Sequence, residues 1–333
     1  MTTDRYGRPI DYLRVSVTDR CNLRCIYCMP EEGVQLCSHD EILRYDEIIA
    51  VVRAAGELGI SKLRLTGGEP LVRLGIVDLV RELAAVPGIE DLAMTTNGTL
   101  LARYAADLAE AGLRRVNISL DTLQPERFHA ITRRGDLGDA LAGIDAAKSA
   151  GLTPVKINTV VMRGVNDDEV VSLASKTVTD GWNLRFIEWM PVGDDTLVHA
   201  DWRERVVTAG EIRARVEAEL GTLVPAHDLV GAGPARTFRL ADAGTTAGTL
   251  GFISAISEHF CDSCNRLRLT ANGKLRPCLL SDHEIDLRDA LRSGAETEQL
   301  QDLIRQAIQA KPQGHRLASG QRAEARAMAQ IGG

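Results

Sequence analysis

Six of the seven cysteines of this chain fall into two groups of three, and these groups constrain the molecule more than any other feature. The groups are Cys21, Cys25 and Cys28, spaced C-x3-C-x2-C, and Cys261, Cys264 and Cys278, spaced C-x2-C-x13-C. Clustered cysteines in a reducing compartment are typical of metal ligands rather than of structural disulfides. The sequence therefore predicts two metal centres, one near each end of the chain.

Thiolate ligands favour iron–sulfur clusters or zinc. A four-iron cluster with three cysteine ligands leaves one iron open to a cofactor or substrate. For the first group, the residues alone also allow three buried cysteines on one helix face, or a zinc site completed by Cys37. For the second group, a zinc ribbon with His259 or Asp262 as fourth ligand stays open at this point.

The first two thirds of the chain alternate short β-rich runs with amphipathic helical stretches. Six strands are predicted, at 13–17, 62–66, 92–96, 115–120, 155–161 and 184–189. The predicted helices between and after them cover 45–58, 74–85, 99–111, 125–132, 137–150 and a stretch from about 167. Parallel neighbours need crossover helices, so six such units predict an α/β fold, an incomplete (β/α)6 barrel.

The pattern changes after about residue 220. Strands predicted at 236–240, 248–256 and 265–280 are joined by Gly- and Asn-bearing turns, which indicates a smaller, mostly antiparallel region. The chain from about 283 onward is predicted to form C-terminal helices. We therefore expect two domains, 1–220 and 221–333.

Charge and hydrophobicity limit the cellular location and the classes of binding partner that we expect. The net charge of −7 disfavours non-specific attraction to nucleic acid or to acidic membrane surfaces. Charged residues occupy the N-terminal stretch where a signal peptide needs an apolar core, and no apolar run approaches the roughly 18 residues of a spanning helix. We expect a cytoplasmic protein with neither a nucleic-acid partner nor a membrane partner.

Two further motifs accompany the cysteines. Gly67, Gly68 and Glu69 directly follow the strand at 62–66, and active sites assemble at the C-terminal ends of barrel strands. Glycines let a ligand approach the backbone, and Glu69 can accept a hydrogen bond from an ammonium group. Arg266 and Arg268 alternate on a strand beside the second cysteine group, where they could anchor a polyphosphate or simply be solvated.

The combination of C-x3-C-x2-C with a following GGE resembles the radical S-adenosylmethionine superfamily. The resemblance implies a partial barrel in which three cysteines bind a [4Fe-4S] cluster and S-adenosyl-L-methionine chelates the fourth iron. One electron then releases a 5′-deoxyadenosyl radical that abstracts a hydrogen atom, chemistry that a cofactor must supply.

Longer segments narrow the resemblance to the branch that cyclises GTP early in molybdenum cofactor biosynthesis. They are RVSVTDRCNLRCIYCMP, LRLTGGEPLVR, MTTNG, RVNISLD, VKINTVV, FIEWMPVG and FCDSCNRLRL. The branch implies a second [4Fe-4S] cluster that binds guanine, removal of the ribose 3′ hydrogen, and 3′,8-cyclo-7,8-dihydro-GTP as product. Its partners would be GTP, an electron donor and a downstream enzyme making cyclic pyranopterin monophosphate. Oligomeric state stays open, with a homodimer as one option.

The resemblance also assigns roles residue by residue. The two cysteine groups would hold the two clusters, and the residues matching S-adenosylmethionine contacts are Tyr27, Gly68, Ser119 and Met190. The residues matching GTP contacts are Arg14, Arg64, Thr95, Lys156, Arg266 and Arg268. Gly332 and Gly333 would form a catalytic tail reaching the active site, although terminal glycines often fray. Cys37 matches no role.

Two competing readings remain. A different two-cluster radical enzyme, such as a peptide-modifying maturase, usually carries more C-terminal cysteines than the three found here. An electron carrier or a zinc-stabilised binding module would leave the GGE motif and the barrel cations unexplained.

Overall fold

The computed structural model describes residues 2–193, 202–226, 233–244, 247–317 and 322–332. In these ranges the strands form one sheet of twelve. The strands are β1 Tyr12–Ser16, β2 Lys62–Thr66, β3 Asp91–Thr96, β4 Arg115–Ser119, β5 Lys156–Val161, β6 Asn183–Glu188, β7 Leu223–Pro225, β8 Arg236–Leu240, β9 Thr249–Ile253, β10 Arg266–Leu269, β11 Lys274–Arg276 and β12 Ile285–Asp286. Their order in the sheet is β12-β11-β10-β1-β2-β3-β4-β5-β6-β9-β8-β7.

Helices follow the parallel strands and cover one face of the sheet. They are α1 Tyr45–Glu57, α2 Ile76–Ala84, α3 Leu101–Glu110, α4 Pro125–Thr132, α5 Leu137–Ser149, α6 Val170–Thr179, α7 Ala209–Leu220, α8 Arg288–Arg292 and α9 Thr297–Gln309. The six strands β1–β6 pair parallel in chain order, which confirms the predicted α/β fold with six β/α units.

The C-terminal strands extend this sheet at both edges. Strand β9 pairs parallel with β6, and β10 pairs parallel with β1. The remaining pairs, β7 with β8, β8 with β9, β10 with β11 and β11 with β12, are antiparallel, as expected for this region. The predicted division at residues 220 and 221 stays a prediction, because these strands share the sheet of the first domain.

Three details differ from the sequence analysis. The segment predicted as one strand at 265–280 is a hairpin, β10 and β11, because Gly273 with a φ of 79° forms the turn. Helix α7 was not predicted, although Thr208 and Glu211 form a capping box at its start. Downstream of residue 283, helix is confined to α8 and α9 and a short 3-10 turn at Met328–Gln330 in the described residues.

The strands carry apolar and polar residues alternately, so the two faces of the sheet differ. On β1 and β2, Leu13, Val15, Leu63 and Leu65 face the helices and are at most 1% exposed. Each such burial stabilises the fold by roughly 1.5–3 kcal/mol. The intervening residues point to the inside of the curled sheet and are polar or charged. None of the described helices is long and apolar enough to cross a membrane.

Candidate active site

The inner face of the sheet carries a row of three arginines. Arg14 on β1 is in register with Arg64 on β2 and with Arg268 on β10. Because paired residues in a sheet point to the same face, all three guanidiniums enter the barrel at one level. One level below, Tyr12 is in register with Arg266. The parallel pairing of β10 with β1 thus joins arginines from opposite ends of the sequence.

The first cysteine group lies in the loop that leaves the C-terminal end of β1. The Sγ of Cys21 accepts hydrogen bonds from the Leu23 N–H at 3.4 Å and from Asn97 Nδ2 at 3.9 Å. Burial raises the pKa of Cys21 to about 11, and Glu69 adds to this. Burial raises the pKa of Cys25 well above its usual value, helped by Cys28 and Asp121. Thiolates in this site therefore need a bound cation to stabilise them.

The GGE segment packs directly on the chain that precedes Cys21. Gly68 N–H donates to the Thr18 carbonyl at 2.7 Å, and Glu69 N–H donates to the Arg20 carbonyl at 2.8 Å. A Cβ on Gly68 would lie 2.3 Å from the Arg20 carbonyl oxygen. This close approach requires glycine and fixes the motif against the cysteine loop.

The Glu69 side chain is only 1% exposed. Its carboxylate accepts hydrogen bonds from Leu71 N–H, Asn97 N–H and Thr96 Oγ1 at 3.0, 2.7 and 2.8 Å. Burial nevertheless raises the pKa of Glu69 to about 7, against the effect of these bonds. A carboxylate held in this way is poised to accept a nearby ammonium group, which would favour its charged form.

Tyr27, within the first cysteine motif, is tied to the end of β4. Its hydroxyl donates to Asp121 Oδ2 at 2.8 Å, while Asp121 Oδ1 accepts from the Val160 N–H at 2.8 Å. Burial raises the pKa of Asp121 to about 6. Asp121 therefore positions the aromatic ring beside Cys25 and Cys28.

The second cysteine group surrounds the start of the β10–β11 hairpin. Cys261 begins a short 3-10 turn, Cys264 lies two residues before β10, and Cys278 lies two residues after β11. Backbone N–H groups of His315 and Arg266 donate hydrogen bonds to the sulfurs of Cys261 and Cys264 respectively. The hairpin thus brings cysteines that are distant in sequence to one end of the barrel.

Both cysteine groups fit iron–sulfur clusters by their chemistry. Each offers three soft sulfur ligands, and N–H donors to the sulfurs are a common way to tune such clusters. In the described ranges, no three Cys, His, Asp or Glu side chains converge closely enough to hold a single metal ion. A four-iron cluster makes no such demand, because each of its thiolates binds a different iron.

The arginines crowd one another inside the barrel. Burial lowers the pKa of Arg14 well below its usual value, and the neighbouring Arg268 lowers it further. Burial and then Arg266 lower the pKa of Arg268 to about 10, and burial and then Arg64 lower that of Arg185 to about 9. So many like charges at short range are unfavourable unless an anion offsets them.

One cavity, partly open to solvent, joins these groups. The predicted site residues that line it are Cys21, Cys25, Tyr27, Cys28, Gly68, Ser119, Met190, Arg14, Arg64, Thr95, Arg266, Arg268, Cys261, Cys264 and Cys278.

Two described site residues, Lys156 and Gly332, are not among the residues that line this cavity. Lys156 is 1% exposed at the start of β5, one level below Asn158, which does line the cavity. Burial and then Arg185 lower the pKa of Lys156 to about 6. The Gly332 carbonyl accepts a hydrogen bond from Arg268 Nη1 at 3.1 Å, so it reaches the arginine row. Gly333 is outside the described residues.

The sequence analysis missed several residues that line the cavity, including Tyr12, Arg185 and Lys311. Arg185 alternates with the apolar Leu184 and Phe186 on β6, so its period of two could have indicated an inward position. Tyr12 has a buried hydroxyl that forms no hydrogen bond with the described residues, and it lies two residues before Arg14 on the same face. Lys311 follows a helix and gives no comparable signal.

Comparison with protein families divides the chain into two matched segments. Residues 15–176 match the Radical SAM superfamily, and residues 182–317 match Molybdenum Cofactor Synthesis C.

One solved structure with a similar fold is Streptococcus suis SuiB bound to S-adenosylmethionine. It superposes with a TM-score of 0.56 at 15% sequence identity, covering 85% of this chain and 65% of that chain. The present chain thus spans less than two thirds of the SuiB structure, and at this identity the likeness supports the fold alone.

Curated relatives match nearly end to end. A GTP 3′,8-cyclase of Pelotomaculum thermopropionicum is 55% identical over 330 residues, covering 99% of both chains. The protein of the same name from Heliobacterium modesticaldum is 54% identical over 332 residues, again covering 99% of both chains. With the inward arginine row and the two cysteine groups around one cavity, these matches establish that the chain belongs to the GTP 3′,8-cyclase family within the radical S-adenosylmethionine superfamily.

Proposed function

We propose that this chain converts GTP to 3′,8-cyclo-7,8-dihydro-GTP, using S-adenosylmethionine and two [4Fe-4S] clusters. When bound, the first cluster with S-adenosylmethionine supplies the 5′-deoxyadenosyl radical that removes the ribose 3′ hydrogen. The observation that carries the proposal is a single cavity lined by both cysteine groups and by a buried arginine row. A site for a metal-activated cofactor and a site for a polyanion then share one space.

At the first site, Cys21, Cys25 and Cys28 would ligate the cluster. S-adenosylmethionine would be bound by four residues that line the cavity, namely Tyr27, Gly68, Ser119 and Met190. We assign Glu69 to the cofactor's ammonium group, because this buried carboxylate lies beside Cys21 and lines the same cavity. Ionic pairing would lower its raised pKa.

At the second site, Cys261, Cys264 and Cys278 would ligate a cluster whose open iron receives the guanine. GTP would be held by Arg14, Arg64, Thr95, Arg266 and Arg268, which line the cavity, and by Lys156, which is buried one level below it. A bound polyanion relieves the mutual repulsion of the buried guanidiniums, which gives GTP a reason to enter a protein of net charge −7.

The ribose would lie between these two sites, within reach of the cofactor. The barrel wall surrounds this space, since the inner strand residues are largely buried. We assign the tail Gly332–Gly333 to closing this space, because Gly332 already contacts Arg268.

The reaction needs further partners. Reductive cleavage consumes an electron, so an external electron donor is part of the proposal. The cyclised nucleotide would pass to a separate enzyme that makes cyclic pyranopterin monophosphate. Homodimer formation stays a prediction.

The test is an anaerobic assay of the reconstituted, reduced protein with S-adenosylmethionine and GTP, following 5′-deoxyadenosine and cyclised GTP together. We expect equal amounts of both products, and neither product from Cys25→Ala. Cys37→Ala is the matched control, since this thiol matches no role, and it should retain both products.

The possible failures are distinct. Deoxyadenosine without cyclised GTP would keep the radical chemistry and exclude GTP as substrate. Neither product from a protein with two intact clusters would overturn the proposed function.

A further inference from the structure

A buried lysine lies against the second cysteine group and has no role in the proposal above. Lys311 lies two residues after the end of α9, is 2% exposed and lines the active-site cavity. Its ammonium donates to the Arg266 carbonyl at 2.8 Å and to the Pro277 carbonyl at 2.8 Å. Arg266 lies two residues after Cys264, and Pro277 lies immediately before Cys278.

The third N–H group of the Lys311 ammonium points to a cysteine sulfur. A lysine ammonium has three donors, and the side chain of Cys264 accepts the remaining hydrogen bond. Burial lowers the pKa of Lys311, and the sulfurs of Cys264 and Cys278 oppose this by favouring the charged ammonium. One cation therefore ties together both ends of the β10–β11 hairpin and contacts a ligand sulfur directly.

The segment that carries Lys311 is itself fastened to the cluster loop. Arg8 donates to the carbonyls of Cys261 and Pro312, both at 2.7 Å, and to that of Gln313 at 3.0 Å. The buried Asp4 accepts from Arg8 Nε at 2.6 Å and holds the guanidinium in place.

The two cysteine groups differ in their cationic neighbours. In the second group the buried Lys311 contacts Cys264. The described part of the first site has no buried lysine in a corresponding position.

We propose that Lys311 is a positioning residue of the second cluster that also raises the reduction potential of that cluster. This inference rests on the proposed function, because it assumes a [4Fe-4S] cluster on Cys261, Cys264 and Cys278. Adding an electron makes a cluster more negative, and a fixed cation in contact with a ligand sulfur stabilises that reduced state more than the oxidised one. The two carbonyl contacts keep the cation at that distance.

The experiment uses full-length chain, reconstituted anaerobically, with Cys21, Cys25 and Cys28 replaced by Ala so that only the second cluster contributes. Lys311→Met removes the charge at similar length, and Lys311→Arg keeps it. Lys148→Met, on α5, is the matched control. The measurements are iron and sulfide content and an electron paramagnetic resonance titration against solution potential.

At a fixed solution potential, we expect the ratio of reduced to oxidised cluster to fall at least about tenfold in Lys311→Met. Lys311→Arg should recover most of this loss, and Lys148→Met should match the parent. The first cluster, measured after replacing Cys261, Cys264 and Cys278 by Ala, should not respond to Lys311→Met.

An unchanged ratio in Lys311→Met with full iron content would overturn the inference and leave the proposed function standing. Equal loss of iron in both Lys311 variants would show a structural brace without the electrostatic effect, which also overturns it. If the parent chain with only the second cysteine group binds no iron, the inference and the proposed function fail together.

Discussion

Lys156 and Asn158 lie two residues apart on β5 and share the inner face of the barrel. Only Asn158 reaches the cavity, while Lys156 lies among Arg185, Arg115 and Arg64, whose charges add to burial and bring its pKa to about 6. Without a bound anion, this lysine is therefore mostly neutral at pH 7. A triphosphate above it would favour the charged form and raise the pKa.

GTP binding should consequently take up a proton between pH 6 and 8. The free protein has the lower pKa, so the complex binds more protons in this window, and affinity should weaken as pH rises through it. Calorimetry in buffers of different ionisation enthalpy measures the uptake directly. Lys156→Gln should abolish it and Lys148→Gln should not, whereas buffer-independent heats in the parent protein would contradict the assignment.

The GGE segment acts as an element rather than as three separate residues. Two backbone hydrogen bonds join it to residues 18–20, immediately before the first cysteine. The cofactor side chains and the cluster ligands are thus supported by the same piece of backbone. A change that displaces the GGE segment should therefore also displace the loop that carries the first cysteine group.

Gly68→Ala tests this coupling, because its Cβ would meet the Arg20 carbonyl at 2.3 Å and a backbone atom cannot give way cheaply. We expect unfolding free energy to fall by about 2 kcal/mol and S-adenosylmethionine affinity to fall at least tenfold. Thermal unfolding and anaerobic binding measure the two effects. Gly244→Ala, with no atom within 4 Å of the added Cβ, is the control. Normal affinity in Gly68→Ala would refute the coupling.

Sequence patterns predicted the elements better than their long-range pairing. Strand alternation predicts β2 and β8 with their observed bounds, and β1 and β3 to β6 with ends shifted by one residue. The strand predicted at 248–256 extends three residues past the observed end of β9. Helix α7 was missed because it buries only Ile212 and Val216 and so has a weak apolar stripe. The pairing of β10 with β1 joins residues far apart in sequence, and no local pattern encodes it.

The residues of the candidate site also fall into those that local sequence patterns predict and those that they do not. Cysteine spacing and the alternation of Arg266 with Arg268 are local signals, and the structure brings those residues to one cavity. Lys311 and Tyr12 depend on tertiary contacts, because a single lysine after a helix or a single tyrosine on a strand is more often an ordinary packed residue.

At the scale of the whole molecule, the end of the chain returns to its beginning. Gly332 lies beside Ser16 and Thr66 at the mouth of the barrel. Its backbone φ of 73° is one that residues other than glycine rarely adopt. A Cβ there would lie 2.7 Å from Thr66 Oγ1. The tail therefore fits this position because it is thin.

Deleting Gly332 and Gly333 should abolish cyclised GTP while both clusters stay intact, because Arg268 then loses its contact with the Gly332 carbonyl. Iron content and the anaerobic product assay measure the two properties separately. Gly332→Ala should show an intermediate loss. Full turnover in the deletion would mean that the tail merely frays.

The central position of β1, between β2 and β10, also has a consequence for synthesis. At about 5–20 residues per second, a ribosome needs roughly 13–50 seconds to proceed from the end of β1 to the start of β10. Throughout that interval the nascent barrel has an open edge strand beside Arg14, and the second cysteine group does not yet exist. Metal loading of the two centres should therefore be separable in time, with the first available to assembly factors while the second awaits release of a nearly complete chain.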